Sequence, residues 1–416
     1  MLTDRRSELT STFPTGRRRY DAPQSTGAPT TDCEWSVREP RRDYDEDAQN
    51  DPTRDAISNR ERESIDQHVE VAGDSADTVR EEPMNPVPLV LGVALLVVTV
   101  TDLLWTTLWV EGGAGPLTTR VMSWTWRTTR TVGGRRPRVL TLAGPLTLLL
   151  GLAVWIGLLW AGWTLVFAGA ENSLIDTRDT GPISWIERLY FVGYSLFTMG
   201  NGDFTPKDGI WQIVTALTTA TGMLFITLIV SYVISVLEAV TQKRAFASNV
   251  SGLGQRGETI VRTAWNGETF RGLELPLNSF TGDINELATK HKAYPILHYF
   301  YSDQRTYATV LSIVALDEAL TLLRFGVPES ERPSKAVLEN ARSSVGNYIE
   351  LVTSSFGHTA GQAPPSPDLD IVREADVPTV ADETFAKALA ESAERRKRLL
   401  GLVEADARDW PLSEDD

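Results

Sequence analysis

Three long apolar blocks interrupt an otherwise polar chain. Residues 87–110 read VPLVLGVALLVVTVTDLLWTTLWV, residues 139–168 read VLTLAGPLTLLLGLAVWIGLLWAGWTLVFA, and residues 209–240 read GIWQIVTALTTATGMLFITLIVSYVISVLEAV. A helix rises about 1.5 Å per residue and the hydrocarbon core is about 30 Å thick, so about 20 apolar residues span it. Each block is long enough, and the second and third leave room for tilt or for projection beyond the bilayer. Between them, PISWIERLYFVGYSLFT carries Ile186, Tyr190, Tyr194 and Phe197 at helical spacing, with Pro182 near its start. That helix is too short to cross.

The segments outside the blocks read differently from one another. Residues 1–85 are rich in Arg, Asp, Glu, Ser, Thr and Pro and poor in aliphatics. Such a segment buries too little apolar surface to offset its ordering entropy, so a disordered acidic tail is expected. Arg17, Arg18 and Arg19 within it read as a solvated charge run, and no nucleic-acid partner is expected. Beyond residue 240 the pattern becomes that of a soluble helical domain, 241–416. Leu316, Leu320 and Leu323 fall at i, i+4 and i+7. Ser334 is a candidate N-cap for a helix with Val337, Ala341, Val345 and Ile349 on one face. Residues 357–378 hold four prolines and read as a linker, followed by one last helix with Phe385, Leu389, Leu400 and Val403 on its apolar side. The fold class is therefore an all-α membrane protein.

Charge orients the spans. The 111–138 loop carries Arg120, Arg127, Arg130, Arg135, Arg136 and Arg138 against the single acid Glu111. Short cytoplasmic loops are enriched in Arg and Lys, which places this loop and the C-terminal domain inside and the 168–209 connection outside. By this rule the tail lies outside; an interfacial first block with a cytoplasmic tail is the alternative. The formal net charge is −15, and of 40 Lys plus Arg only seven are Lys. An acidic, lysine-poor surface stays hydrated in concentrated salt, as expected of a halophilic archaeon; an acidic chain from a GC-rich genome would read the same way. A single cysteine, Cys33, excludes a disulfide framework within the chain, and no secretory signal is read at residues 1–85.

The candidate chemistry lies between the second and third blocks, in SLFTMGNGDFTP, residues 195–206. Non-helical backbone at membrane depth is tolerated where protein buries it or where it lines a cavity. A dehydrated monovalent cation needs a cage of oxygens, and successive backbone carbonyls supply it if alternate residues adopt positive φ. Glycine does so without steric cost, and Gly200 and Gly202 alternate as required, with the Thr198 hydroxyl at the inner end.

TMGNGD, preceded by YFVGYSLF and followed by FTP, resembles the pore signature of potassium channels, usually Thr-Val-Gly-Tyr-Gly-Asp, over about residues 155–240. The arrangement is also similar to prokaryotic ion channels with an extra N-terminal span, here 86–110, and a basic loop after GAGPL. The resemblance implies a pore domain at 139–240: outer helix 139–168, pore helix 183–197, filter 198–203 and inner helix 209–240. It implies that Thr198, Met199, Gly200 and Asn201 contribute filter carbonyls ahead of Gly202, and that Asp203 stands at the outer mouth. Gly222 falls where the family often has a hinge. Ile226, Val230 and Ile234 share one face as a hydrophobic gate, or serve helix packing or lipid contact, and Glu238 rings the exit. For Gly222, close helix packing is the other reading. Asn201 departs from the usual Tyr or Phe, so potassium-selective and non-selective monovalent cation conduction both stay open, as does a non-conducting membrane sensor or scaffold. One pore loop per chain implies a homotetramer in the lipid bilayer, in the plasma membrane, with permeating K+ ions and no cofactor.

The remaining motifs point less far. Gly252, Gly254 and Gly257 spell Gly-x-Gly-x-x-Gly, but a dinucleotide site needs a strand before it and a βαβ unit around it; a flexible linker to the gate is expected instead. His291, His298 and Asp303 match no metal-ligand spacing. Asp102 sits within the first block, where an acid is a candidate functional group, bonding to Thr101, Thr106, Arg120 or a neighbouring helix, or reaching interfacial water. No catalytic triad or paired-carboxylate pattern is present, so no enzymatic activity is expected. The gating ligand or partner of the C-terminal domain is not legible.

Overall fold

A computed structural model describes residues 85–109, 113–134, 136–178 and 181–411. The acidic tail, with Arg17 to Arg19 and Cys33, lies outside them. Three helical segments are long and apolar enough to cross a membrane. They are α1 (Pro86–Leu108), the pair α3 (Pro137–Leu140) and α4 (Ala143–Ala168), and α6 (Ile210–Ser251). Asn85 caps α1, its side chain accepting from the Val87 N–H at 3.2 Å, and its own N–H donates to Gly169 O at 2.8 Å. Glycines let α1 and α4 approach closely: a Cβ on Gly92 would stand 2.7 Å from Gly162 O. Apolar association in lipid relies on such close packing because the tails are as apolar as the side chains. The outward faces keep large apolar residues exposed, Val90 and Leu91 on α1 and Leu224 on α6 among them, as a lipid-facing surface requires.

The basic segment after α1 is itself a helix, α2 (Pro116–Gly133). Asp102 explains where it starts. Its carboxylate, 1% exposed, accepts from Leu117 N at 2.7 Å, Thr118 N at 3.3 Å, Thr118 Oγ1 at 2.6 Å and Trp155 Nε1 at 3.0 Å. An acid at a helix N-terminus satisfies orphan N–H groups and complements the dipole. Of the partners expected from sequence, the neighbouring helices supply the bonds. Thr106 bonds the Asp102 main-chain carbonyl instead, at 2.8 Å.

After α4, strand β1 (Leu174–Asp176) pairs antiparallel with β2 (Phe204–Pro206), Ile175 opposite Thr205. Between them lies α5 (Trp185–Leu196). Helix α6 then runs unbroken eleven residues past Val240 into the C-terminal body, where Phe246 and Val250 join its core.

That body comprises α7 (Gly257–Ala264), α8 (Glu274–Ala293), the 3₁₀ turn Pro295–Tyr299, α9 (Thr309–Thr321) extended by a π turn to Gly326, α10 (Lys335–Phe356), α11 (Leu369–Arg373), α12 (Asp382–Glu391) and α13 (Ala393–Ala405). Helix α9 is enclosed on nearly every side, not amphipathic, with Asp317 and Glu318 buried beside its leucines. Buried charge requires partners. Arg395 Nε meets Asp317 at 2.8 Å, and Arg396 grips Glu318 at 2.9 and 3.2 Å. Burial pushes Glu318 up to about 7 against the pull of Arg396.

One sequence expectation is refined here and three are corrected. Ser334 stands at the N-cap of α10 as expected but without a side-chain cap bond; its N–H donates to Glu274 Oε1 at 2.9 Å. The glycine run is not a flexible linker, because a Cβ on Gly257 would come within 2.6 Å of the Glu318 Cβ and one on Gly254 within 2.8 Å of Ile260 N. No strand precedes it either, since α6 does. Residues 357–378 pack on the body, with Leu369, Val372 and Val377 buried. The last helix is two, α12 and α13, parted at Ser392.

Candidate ion pore

Helix α5 is set by a capping box: Ser184 Oγ accepts from Glu187 N at 3.4 Å, and Glu187 Oε2 accepts from Ser184 N at 2.7 Å. Its far end closes with Phe197 N to Gly193 O at 3.0 Å and Met199 N to Tyr194 O at 2.8 Å. The partially negative helix C-terminus therefore adjoins Thr198, a favourable setting for a cation.

From there the backbone alternates. Thr198, Gly200 and Gly202 have φ of +57°, +61° and +82°, whereas Met199 and Asn201 do not enter the positive region. Such alternation turns successive carbonyls toward one side of an extended strand. Gly200 and Gly202 are required for φ, since open space surrounds the Cβ position at both. Thr198 adopts the same region with a β-branched side chain, a conformation that costs about 1–3 kcal/mol and persists only where the surroundings impose it. Thr198 through Gly202 are exposed on the single chain.

At Thr198 the end of α5 supplies a backbone tie, the Thr198 N–H donating to Ser195 O at 3.2 Å, and tyrosines on α5 hold the rest of the loop. Asn201 Nδ2 donates to Tyr190 Oη at 2.6 Å, and Tyr190 Oη donates to Asp203 Oδ2 at 2.9 Å. One turn on, Tyr194 Oη donates to Phe204 O at 2.5 Å and accepts from Phe204 N at 3.3 Å. Thr177, just past β1, donates from its hydroxyl to Asp203 O at 2.8 Å and Gly202 O at 3.3 Å, so the Gly202 carbonyl faces this loop. The Arg178 guanidinium lies 4.8 Å above the Phe204 ring, paired with Asp176 at 3.2 Å. Sequence spacing marks Tyr190 and Tyr194 only as one face of a helix; their role in holding the loop appears in the contacts.

Behind the loop, Gly222 of α6 abuts the Leu196 main-chain carbonyl, against which a Cβ would run. Trp163 Nε1 donates to Thr221 Oγ1 at 2.9 Å, joining α4 to α6 beside it. Further along, Phe225, Ile229, Tyr232 and Val236 are buried on one face. Ile226, Val230 and Ile234 are 42%, 52% and 61% exposed on another. That face belongs to the same stretch and is uncovered in the single chain. Glu238, also exposed, pairs with Lys290 of α8 at 3.4 Å.

One turn beyond, Lys243 ties α6 to the 3₁₀ turn. Its ammonium donates to Leu297 O at 2.8 Å and Phe300 O at 3.3 Å. His291 and His298 stand nearby, ring centroids 6.2 Å apart. Burial first and the Lys243 charge second push His298 down to about 3, and His291 well below its ordinary value. Among the described residues no three His, Cys, Asp or Glu side chains gather to hold a metal ion; Asp303 does not complete such a group.

Comparison with known proteins follows the same geometry. A family model described as "Ion channel" matches residues 153–239, the stretch from within α4 to α6. The chain is 43% identical over 331 residues to "Uncharacterized membrane protein YdjJ" of Bacillus subtilis (strain 168), an alignment covering 80% of this chain and 97% of that protein. No solved structure matches. The chain belongs to the same membrane-protein family as that relative, and its residues 153–239 match the ion channel family.

Proposed function

We propose that four copies of this chain form a potassium-selective channel in the plasma membrane, with the carbonyls of Thr198, Met199, Gly200 and Asn201 replacing the water shell of the ion. The observation that carries the reading is the alternation of positive φ at Thr198, Gly200 and Gly202, set between a short capped helix and a long apolar one. Aligned backbone carbonyls suit a dehydrated monovalent cation. A single chain supplies one such strand, so closure of the cage calls for a symmetric ring. Asp203 then concentrates cations at the outer mouth. Gly222 lets α6 sit against the pore helix and bend there, Ile226, Val230 and Ile234 line a hydrophobic gate, and Glu238 lies at the exit. The C-terminal body is cytoplasmic, and because α6 enters its core without a break, movement of the body is transmitted to the gate.

The missing aromatic ring at Asn201 favours a second reading, a non-selective monovalent cation channel. The bond from Asn201 to Tyr190 supports the first, because it ties the loop to the pore helix by another route. Purified protein reconstituted in liposomes and assayed for K+ and Na+ flux separates the readings. Potassium flux well above sodium flux, lost in Gly200→Ala, is the expected result. Equal fluxes support the second reading, and no flux of either ion leaves a membrane sensor or scaffold.

A further inference from the structure

A cleft of about 720 Å³ opens between α2, the 3₁₀ turn and the end of the C-terminal body. We propose that it binds a small phosphorylated ligand carrying a planar ring, of the nucleotide type, and that its occupancy reaches the inner helix through Lys243.

The charge argument rests on Arg127 and Arg130. They sit three apart on α2, both exposed and both lining the cleft. Among the described residues neither enters an ion pair; Arg130 reaches only the Glu404 main-chain carbonyl, at 3.4 Å. The cleft's other charged side chains are Arg408, Glu404 and Asp409. Arg408 is held by Asp406 at 2.6 Å, and His358 meets Glu404 at 2.8 Å. Three arginines, Arg127, Arg130 and Arg408, line the cavity against two carboxylates, in a chain of net charge −15, and that local positive excess suits an anion. Guanidinium forks bind phosphate oxygens in bidentate fashion.

The ring argument rests on the walls. Trp126, Tyr299 and Trp410 line the same cleft, and the Trp126 and Tyr299 centroids are 5.8 Å apart. Aromatic faces beside arginines accept a stacked heterocycle. The volume falls within the range of small-molecule sites.

The link to the pore rests on one short turn. His298 and Tyr299 present side chains to the cleft, while the carbonyls on either side, of Leu297 and Phe300, hold the Lys243 ammonium of α6. A ligand that shifts the turn therefore shifts the anchor of the inner helix. This second half rests on the channel reading above; binding itself does not.

Isothermal calorimetry on the full chain in phosphatidylcholine nanodiscs tests it, with ATP as probe and inorganic phosphate and adenosine as its two halves. ATP is expected to bind more tightly than either half. The double variant Arg127→Gln with Arg130→Gln should weaken ATP by about tenfold or more. Arg120→Gln, on the same helix outside the cleft, should bind as wild type does and controls for folding. Absence of ATP binding, or equal loss in the Arg120 variant, overturns the site. Phosphate binding as tightly as ATP overturns the ring, and adenosine binding as tightly as ATP overturns the arginines. Displacement of ATP by phosphatidylglycerol assigns the phosphate contact to a lipid headgroup and overturns the soluble ligand. In liposomes, ATP should change K+ flux in wild type and not in the double variant. Intact binding with unchanged flux overturns the coupling, whereas intact binding with no flux under any condition defeats the channel reading and leaves the site standing.

Discussion

The amide of Asn201 bonds the hydroxyl of Tyr190 on α5, which in turn bonds Asp203, so the three side chains form one chain behind the 198–203 loop. Tyr190→Phe removes the shared hydroxyl and both bonds while keeping the ring. Each is worth about 0.5–3 kcal/mol, and 1.4 kcal/mol is tenfold in an equilibrium. The K+ over Na+ permeability ratio should fall by about tenfold, as measured by reversal potentials in bilayers. An unchanged ratio would remove the network from selectivity. Asn201→Tyr should disturb the ratio less if its ring restores packing against α5.

Gly222→Ala sets helix propensity against tertiary contact. In an exposed helix this change gains about 1 kcal/mol. Here the added Cβ meets the Leu196 carbonyl at the end of α5, and both elements must shift. Lower thermal stability and reduced flux are expected together; a more stable variant would mean that α6 and α5 do not pack this way.

Asp102 is expected to be structural. Asp102→Ala strands the N–H groups of Leu117 and Thr118 and the indole of Trp155. Buried donors without partners cost about 1–3 kcal/mol each, so a loss of about 2–4 kcal/mol is predicted. Asp102→Asn keeps an acceptor oxygen and should lose less. Thermal unfolding in detergent, read by circular dichroism, compares the two; a stable alanine variant with altered flux would make the residue functional instead.

Acidification should loosen the junction between α6 and the C-terminal body. His298 titrates at about 3 in the folded chain, against an ordinary value of 6.5. A depressed value means that the unfolded chain binds the extra proton, so stability is complete above pH 6.5 and falls as pH drops toward 3. The slope is about 1.4 kcal/mol per pH unit per histidine, with His291 acting in the same direction. Unfolding midpoints of wild type and His298→Gln, followed from pH 7 to 4, should converge as pH falls. Parallel curves would contradict this.

Much of the architecture follows from sequence alone because its causes are local. About 20 apolar residues in a row have few destinations other than a bilayer, and the three spans were legible for that reason. Positive φ at Gly200 and Gly202 was legible because glycine adopts it without steric cost, whereas the same conformation at Thr198 is not announced by its residue type. Pairings between distant segments were decided by tertiary structure. Nothing near Asp317 and Glu318 announces Arg395 and Arg396, 78 positions away in each case; side-chain periodicity made α9 look one-sided when it is central. Asn201 read as a departure until Tyr190 supplied its partner. The cleft joins residues of α2, the 295–299 turn and α13 that share no spacing. Local rules set what each segment can be, whereas hydrogen bonds and charge neutralisation depend on which segments meet, and only the packed chain specifies that.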